Sequence, residues 1–459
     1  MLKTIKSIKL PHVFILLTAV VFICSALSYI IPSGVFERET KKIGSINRTL
    51  VIPGSYKELP KSYSLKGTIM GDEIEGKATP VSLIGFLSAI PKGMEEADFI
   101  IFFIFMIGGV FGILQKTGTI IAFLQKMLDT FGNSPNLLII LMMVFIGIGA
   151  STLGMGEELL PLIPLFLIVS KQLGYDRIVG VAIIWVAAEV GFAAATTNPY
   201  TVQIAQNLAQ IPLNSGIVFR LVFFAFSMAI SIFYVLRYGA KIKKDPAKSV
   251  MADDEFNLDD ITFDKIEFKK EHFIILLVGV VLFAFIIYSV QNYDWWINEM
   301  SGAFFLLGIL CVFISKMKLN DATTAFIKGM EEMVVAALVV GFARGVQVVL
   351  QDGQILDTII NSAATNLQIF PKHLAAGGML IFQSTLNFFI PSGSGQAAVT
   401  MPLMAPIADL IGITRQTAVF AFTCGDGFSN MIIPTSGILM AVLSLAKVPF
   451  VKWLKFVFP

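Results

Sequence analysis

The chain has little charge and few side chains that bind metals or form disulfides. Only 14% of its 459 residues are charged and 56% are hydrophobic, against about 25% charged in an ordinary soluble domain. Its three cysteines, Cys24, Cys311 and Cys424, lie in apolar runs and are predicted to be inert packing residues. The scarcity of charge excludes a water-soluble fold, because no soluble core could hide this much apolar surface.

The apolar residues form runs close to the roughly 20 residues that span hydrocarbon. Five examples are residues 13–31, 99–114, 217–236, 273–290 and 334–350. Three lysines, Lys3, Lys6 and Lys9, precede the first run, which could be a signal peptide. Its length and the many later runs favour an uncleaved first transmembrane helix within residues 1–31, and therefore a polytopic membrane protein.

Basic residues predict the orientation, because cytoplasmic connections carry an excess of lysine and arginine. An N-terminus in the cytoplasm places one large basic group inside: Lys171, Arg177, Arg237, Lys241, Lys243, Lys244, Lys316, Lys318, Lys447, Lys452 and Lys455. Short outer connections then retain little beyond Lys372 and Arg415. Residues 32–91 are predicted to be an extracytoplasmic loop and residues 237–272 a cytoplasmic linker.

An internal repeat is the strongest signal in the sequence. The pentapeptide KGMEE at residues 92–96 recurs at residues 328–332, a displacement of 236, and nine of the 24 positions from 92 and from 328 are identical. The span count places the first copy outside and the second inside. We therefore predict two inverted-topology repeats, residues 92–236 and residues 273–459 with their preceding helices, an arrangement that secondary transporters use.

Each repeat contains two apolar stretches broken by small polar residues and proline. Arms of about 12 residues are too short to cross a bilayer, so residues 137–169 and 375–410 are predicted to be re-entrant helical hairpins. Residues 179–209 and 417–445 are predicted to be unwound transmembrane helices. Any one break could be a proline kink with local capping, but four breaks at matching places favour a binding site.

Four carboxylates stand in or beside the broken stretches, where buried charge usually marks an ion or substrate pathway. They are Glu157, Glu158, Glu189 and Asp426. Glu157 and Glu158 could instead stabilise the start of the returning hairpin helix through its dipole. Arg344, inside another apolar run, is expected to neutralise one of the four.

Three motifs carry a family resemblance. They are GSGQAAVTMP at residues 393–402, GMGEE at 154–158 and TTNP at 196–199. With them the chain resembles YfcC-like carriers of the anaerobic C4-dicarboxylate carrier and basic amino acid antiporter families, within the ion transporter superfamily. The resemblance covers nearly the whole chain.

The resemblance implies an all-α fold with elevator-like movement, often in a homodimer, in a bacterial inner membrane. It implies no bound cofactor, a small-molecule substrate and, in some members, Na⁺ at the hairpin tips. Such carriers usually continue with another span, whereas this chain ends at residues 452–459. The implied binding residues are Ser151, Thr152, Gly154, Gly156, Thr196, Thr197, Asn198, Ser392, Gly393, Ser394, Gly395, Gln396, Ser429, Asn430, Thr435 and Ser436.

The sequence offers no nucleophile elbow or metal-ligand cluster, so a transporter is favoured over an enzyme, a receptor or a scaffold. The hairpin tips carry helix N-termini that suit a carboxylate, but no lysine or arginine. The four acids suit an amino or guanidinium group. A basic amino acid such as arginine or ornithine fits best, with a C4-dicarboxylate as the alternative, and exchange or coupling to Na⁺ or H⁺ stays open.

Overall fold

A computed structural model describes residues 13–43, 46–131, 134–254, 266–293, 295–367 and 371–459. Lys3, Lys6 and Lys9, used above for orientation, lie outside the described residues. Helices account for most of the described chain. They are α1 Val13–Leu27, α2 Leu65–Ile69, α3 Leu83–Glu96, α4 Asp98–Lys116, α5 Thr119–Phe131, α6 Pro135–Leu153, α7 Ile163–Gln172, α8 Arg177–Ala193, α9 Val202–Leu208, α10 Ile217–Lys244, α11 Lys270–Asn292, α12 Ile297–Ser315, α13 Leu319–Glu332, α14 Val334–Asp352, α15 Leu356–Leu367, α16 Lys372–Asn387, α17 Gly393–Ile411, α18 Arg415–Asn430, α19 Gly437–Leu445 and α20 Phe450–Val457.

Within these ranges, six helices are long and apolar enough to cross a membrane: α4, α6, α10, α11, α12 and α14. The bent pair α19 and α20, with 107° between its axes, would make a seventh. The shorter apolar helix α1 adds a further hydrophobic segment. The prediction of a multi-pass, mainly helical membrane protein is confirmed.

The loop after α1 adds short strands to the otherwise helical fold. Four short strands, β1 Ser33–Val35, β2 Arg38–Ile43, β3 Ile46–Val51 and β4 Lys57–Leu59, form two antiparallel pairs. Strand β1 pairs with β4, and β2 pairs with β3. A segment rich in polar side chains lies outside the hydrocarbon, so its backbone can pair between strands instead of within a helix.

The predicted arm length of the hairpins is also wrong. Helices α6 and α17 each have 19 residues and α16 has 16, whereas only α7, with 10 residues, is short. Helix α6 extends through polar residues to Leu153 and ends at Gly154, whose φ of 72° is left-handed. Small polar residues by themselves do not end a helix, so the length argument underestimated the arms.

The repeated pentapeptide lies where two short helices pack against long ones. The first and last positions of α3 and α13 are related by the displacement of the repeat, and so are those of α4 and α14. Helix α3 packs against α14, and α13 packs against α4. A Cβ on Gly93 would lie 2.5 Å from the Gly341 carbonyl oxygen, and one on Gly329 would lie 2.2 Å from that of Gly108. Both copies therefore need glycine for close helix contact.

Ion pairs and hydrogen bonds define the two ends of the molecule. At one end Arg177 contacts Asp254 at 2.7 Å, and Lys243 lies 4.4 Å from the ring centre of Tyr175. This end joins the α7–α8 connection to the linker. At the other end Arg415 donates to the Ala209 carbonyl at 2.9 Å, which joins the base of the α16–α17 pair to the end of α9.

Replacing Gly93 with valine should reduce the yield of monodisperse protein and lower its melting temperature in detergent. The new side chain would enter the backbone of α14, and overpacking of this kind costs about 1–3 kcal/mol or more. Gly279→Val in α11 is the matched control, since a Cβ there meets nothing within 4 Å. Equal melting temperatures for the two variants would contradict the packing role.

Candidate functional site

The α6–α7 connection contacts the gap between α8 and α9. The backbone N–H groups of Thr196 and Thr197 donate to the Ser151 carbonyl at 2.9 and 3.4 Å. The hydroxyls of Ser151 and Thr196 are 3.2 Å apart, and the Thr197 hydroxyl donates to the Thr152 carbonyl at 3.2 Å. We call residues 151–156 the first tip and residues 194–201 the first break.

Asn198 fills the space under the first tip. A Cβ on Gly154 would lie 2.6 Å from its Oδ1 atom, so close approach and left-handed backbone both require glycine there. Asn198 is fully buried and its Oδ1 accepts from the Tyr200 N–H at 2.8 Å. Its Nδ2 has no protein partner among the described residues, and a neighbouring hydroxyl, that of Thr201, is also buried without one.

The α16–α17 connection contacts the C-terminal end of α18, just before the gap to α19, through a residue that the sequence reasoning missed. Asn387 Nδ2 lies 3.0 Å from the Asp426 carbonyl, 2.7 Å from Ser429 Oγ and 2.8 Å from Asn430 Oδ1. Asn387 is the counterpart of Ser151 at the displacement of the repeat, so the signal was present in the sequence. We call residues 387–396 the second tip and residues 431–436 the second break.

The second tip also touches the first break. A Cβ on Gly393 would lie 2.9 Å from Asp426 Oδ2 and 2.6 Å from Thr201 Cγ2. Ser392 caps α17 by accepting from the Gly395 N–H at 3.3 Å, and Ser394 is partly buried. The second tip therefore lies between the first break and the C-terminal end of α18.

Gln396, predicted to bind substrate, contacts the other arm of its own hairpin. Its Nε2 donates to the carbonyl and the Oε1 of Gln383 at 2.9 and 2.7 Å. At the second break Thr435 is buried with no partner in the described chain, and Ser436 caps α19 through the Leu439 N–H. These contacts hold the second tip and the second break in shape.

Two of the four predicted carboxylates are buried with oxygens that no described residue pairs. Glu189 is 6% exposed and its Oε2 has no protein partner there. Asp426 is fully buried, and neither of its oxygens makes a hydrogen bond of normal geometry, although Asn430 lies beside both acids. Because an unpaired polar atom costs free energy in an apolar interior, these oxygens require a cation, a proton, water or a polar solute.

The other two carboxylates open the returning arm of the first hairpin. Glu157 and Glu158 begin a short 3-10 helix, Glu157–Leu162, and both are partly buried. Glu158 Oε2 accepts from the Gly156 N–H at 2.9 Å. This contact agrees with the alternative interpretation, in which Glu158 stabilises the start of the helix.

Two arginines make contacts that the sequence analysis did not predict. Arg344 was expected to neutralise one of the four acids, and this is wrong: its Nε pairs with Glu96 at 2.9 Å. Arg220, fully buried on α10, donates from one terminal nitrogen to the Ala195 carbonyl and to the Thr423 hydroxyl, both at 3.1 Å. In the sequence, Arg220 is the single arginine inside the apolar run 217–236. It was not singled out because this run lies outside the broken stretches.

The first tip and first break lie against the ends of α11 and α12. Gln291 Nε2 donates to the Thr152 and Thr197 carbonyls, each at 3.3 Å. The rings of Tyr200 and Trp296 are 4.6 Å apart in an edge-on contact. Long polar contacts of this kind are weaker than hydrogen bonds of ideal length.

The family of the chain can now be stated. The model of the C4-dicarboxylate anaerobic carrier family, DcuC, matches residues 10–459. The chain belongs to this family. It is 32% identical to the Escherichia coli protein named "Putative basic amino acid antiporter YfcC", over 97% of this chain and 92% of the relative. It is 31% identical to an uncharacterized protein of Haemophilus influenzae, over 99% of this chain and 94% of the relative.

Similarity to solved structures is much lower. The Alcanivorax borkumensis YdaH transporter has 16% identity and a TM-score of 0.43, over 98% of this chain and 95% of that chain. Neisseria gonorrhoeae MtrF, described as one of a class of antimetabolite efflux pumps, has 17% identity and a TM-score of 0.41 over the same shares. At these TM-scores the likeness supports no inference about fold or function.

Proposed function

We propose that this carrier moves a small polar solute by an elevator mechanism, with the solute bound between the two tips and the two breaks. The observation that carries the proposal is the pair of buried carboxyl groups, Glu189 on α8 and Asp426 on α18, which both lie beside Asn430. Oε2 of Glu189 and both carboxylate oxygens of Asp426 lack partners among the described residues. A receptor or a scaffold would have no need for unpaired carboxyl groups buried in the apolar interior.

Inverted repeats with re-entrant hairpins are part of this proposal. The equal displacement of α3 and α4 from α13 and α14 supports them, as do the matching tip residues Ser151 and Asn387. The base of the first hairpin lies near Lys243 and that of the second is bound to Ala209, and we propose that these are opposite faces of the membrane. Two hairpins that enter from opposite sides and meet at their tips support alternating access to a central site.

We propose a basic amino acid, such as arginine or ornithine, as the solute. Its side-chain cation complements Glu189 and Asp426, and its carboxylate suits the N-terminus of α17, which begins at Gly393 after the cap Ser392. The name of the Escherichia coli relative supports this class. The family description and the buried cation Arg220 support a C4-dicarboxylate as the second candidate.

Arginine or ornithine should raise the melting temperature of the purified carrier and exchange across proteoliposomes. Glu189→Gln and Asp426→Asn should each weaken arginine binding by about ten- to a hundredfold, because hydrogen bonds to charged groups contribute about 1.5–3 kcal/mol. Glu95→Gln, at an exposed acid in the first pentapeptide, is the control. Stabilisation and uptake with succinate or fumarate, but with no amino acid, would instead establish the dicarboxylate.

Transport is driven either by exchange or by an ion gradient, and uptake into the same proteoliposomes distinguishes the two. Hydroxyl oxygens and the carbonyl oxygens outside the helical hydrogen-bond pattern at the tips can coordinate Na⁺, and an unpaired carboxyl group can bind H⁺. We propose Na⁺ or H⁺ as the coupling ion if net uptake occurs. Uptake driven by an imposed Na⁺ or pH gradient, without solute inside, would identify the ion, and uptake that requires internal solute would identify exchange.

Elevator movement predicts that a link between Gln291 and Thr152 stops transport. These residues join α11 to the first tip, and the tip must slide past α11 for the site to reach the other side. A double cysteine variant at 291 and 152, joined by a short thiol cross-linker, should retain less than about a tenth of its own uptake and recover on reduction, while the cross-linker should leave the uptake of either single variant unchanged. Full uptake in the linked protein would exclude the movement.

We also propose that the chain lies in a bacterial inner membrane with its N-terminus in the cytoplasm. Glu58→Cys in the outer loop should react with an impermeant maleimide in intact cells, and Lys244→Cys should react only after lysis. The three native cysteines are buried and add little background. The opposite labelling pattern would reverse the orientation. A homodimer is proposed as well, and native mass spectrometry showing monomers alone would exclude it.

A further inference from the structure

The first break leaves a carbonyl without its helical partner. In a continuous helix the Ala195 carbonyl would accept from the N–H of residue 199, but Pro199 has none. Arg220, from the next long helix α10, donates to this carbonyl at 3.1 Å. The side chain is fully buried beneath the ring of Phe420, 5.3 Å from its centre, so water does not compete for the contact.

The second break repeats the arrangement with a different side chain. The Met431 carbonyl, equivalent to that of Ala195 at the displacement of the repeat, accepts from the indole N–H of Trp453 at 2.8 Å. Trp453 is fully buried on α20, the next helix after α19. The sharp bend between α19 and α20 turns this short helix back toward the break. Two unrelated donors thus meet the carbonyl at equivalent positions.

We propose that Arg220 and Trp453 are positioning residues that hold the two breaks open by capping these carbonyls. In each break the capped carbonyl lies next to residues that contact a tip: Ser429 and Asn430, just before Met431, contact Asn387 of the second tip. In the first break the next two residues, Thr196 and Thr197, donate their N–H groups to Ser151 of the tip. Without the cap, the released carbonyl would turn to satisfy itself elsewhere, and the break would lose its alignment with the tip.

The two caps also differ in charge. A cation at the C-terminal end of α8 offsets the negative end of that helix dipole, whereas the neutral indole leaves the end of α18 negative. This inference concerns the backbone and holds whichever solute the carrier takes, so it goes beyond the proposed function.

Hydrogen–deuterium exchange of the purified full chain tests the proposal. Arg220→Leu should speed amide exchange in residues 194–201 by roughly five- to tenfold, as expected for one lost hydrogen bond, and leave residues 431–436 unchanged. Trp453→Phe should do the reverse. Trp185→Phe is the matched control, because Trp185 is equally buried on α8 but its indole N–H has no partner in the described chain.

Conservative variants separate the hydrogen bond from the charge. Arg220→Gln keeps a donor without charge and should restore much of the slow exchange at the first break. Rescue by Arg220→Lys but not by Arg220→Gln would show that the charge matters and would overturn the capping role. Equal acceleration at both breaks in either variant, acceleration in Trp185→Phe, or no acceleration at all would overturn it too.

Discussion

Unwound backbone inside a membrane has to find hydrogen-bond partners within the protein, and this constraint organises the centre of the molecule. The first break supplies two N–H groups, those of Thr196 and Thr197, and the first tip supplies the Ser151 carbonyl that accepts them. That carbonyl is free because α6 ends at Leu153, within one turn. The first tip and the first break therefore satisfy each other's backbone hydrogen bonds, and neither would be stable in hydrocarbon without the other.

The same constraint supports the proposal that the centre binds a polar solute. Once tips and breaks are paired, side chains such as Asn198, Glu189 and Asp426 are held in place with part of their hydrogen-bonding capacity unused. A solute that supplies the missing partners meets groups already fixed by the fold, so little ordering entropy is lost when it binds. The free energy that these unpaired atoms cost in the empty protein would be recovered as affinity and selectivity if the proposed polar ligand binds there.

The sequence predicted features that depend on local pattern and missed those that depend on contacts between distant segments. Apolar runs, the repeated pentapeptide and the four breaks are local, and each appears in the structure as a helix, a packing contact or a gap between helices. The partner of Arg344 was missed because Glu96 lies 248 residues away, on a helix whose packing against α14 no periodicity reveals. Asn387 was missed because it precedes the turn itself, although the repeat pointed to it.

Other errors have different physical causes. The β pairs after α1 were missed because polar residues outside the membrane give a weak strand signal, and their pairing partners are set by the loop as a whole. The arms of the hairpins were underestimated because serine and threonine were interpreted as helix ends. Thr152 instead donates its hydroxyl to the Ile148 carbonyl and stays within α6.

The two halves have similar helix bounds but different charged side chains. Helix bounds recur at the displacement of the repeat, but Glu157 and Glu158 of the first hairpin correspond to Gly393 and Ser394 of the second. A neutral second tip leaves the N-terminus of α17 available to a negative group, while the acidic first tip repels one. Glu189 likewise corresponds to a glycine in the second half. The helix bounds repeat while the side chains differ, so, in the proposed site, a solute with one positive and one negative group would be bound in a single orientation.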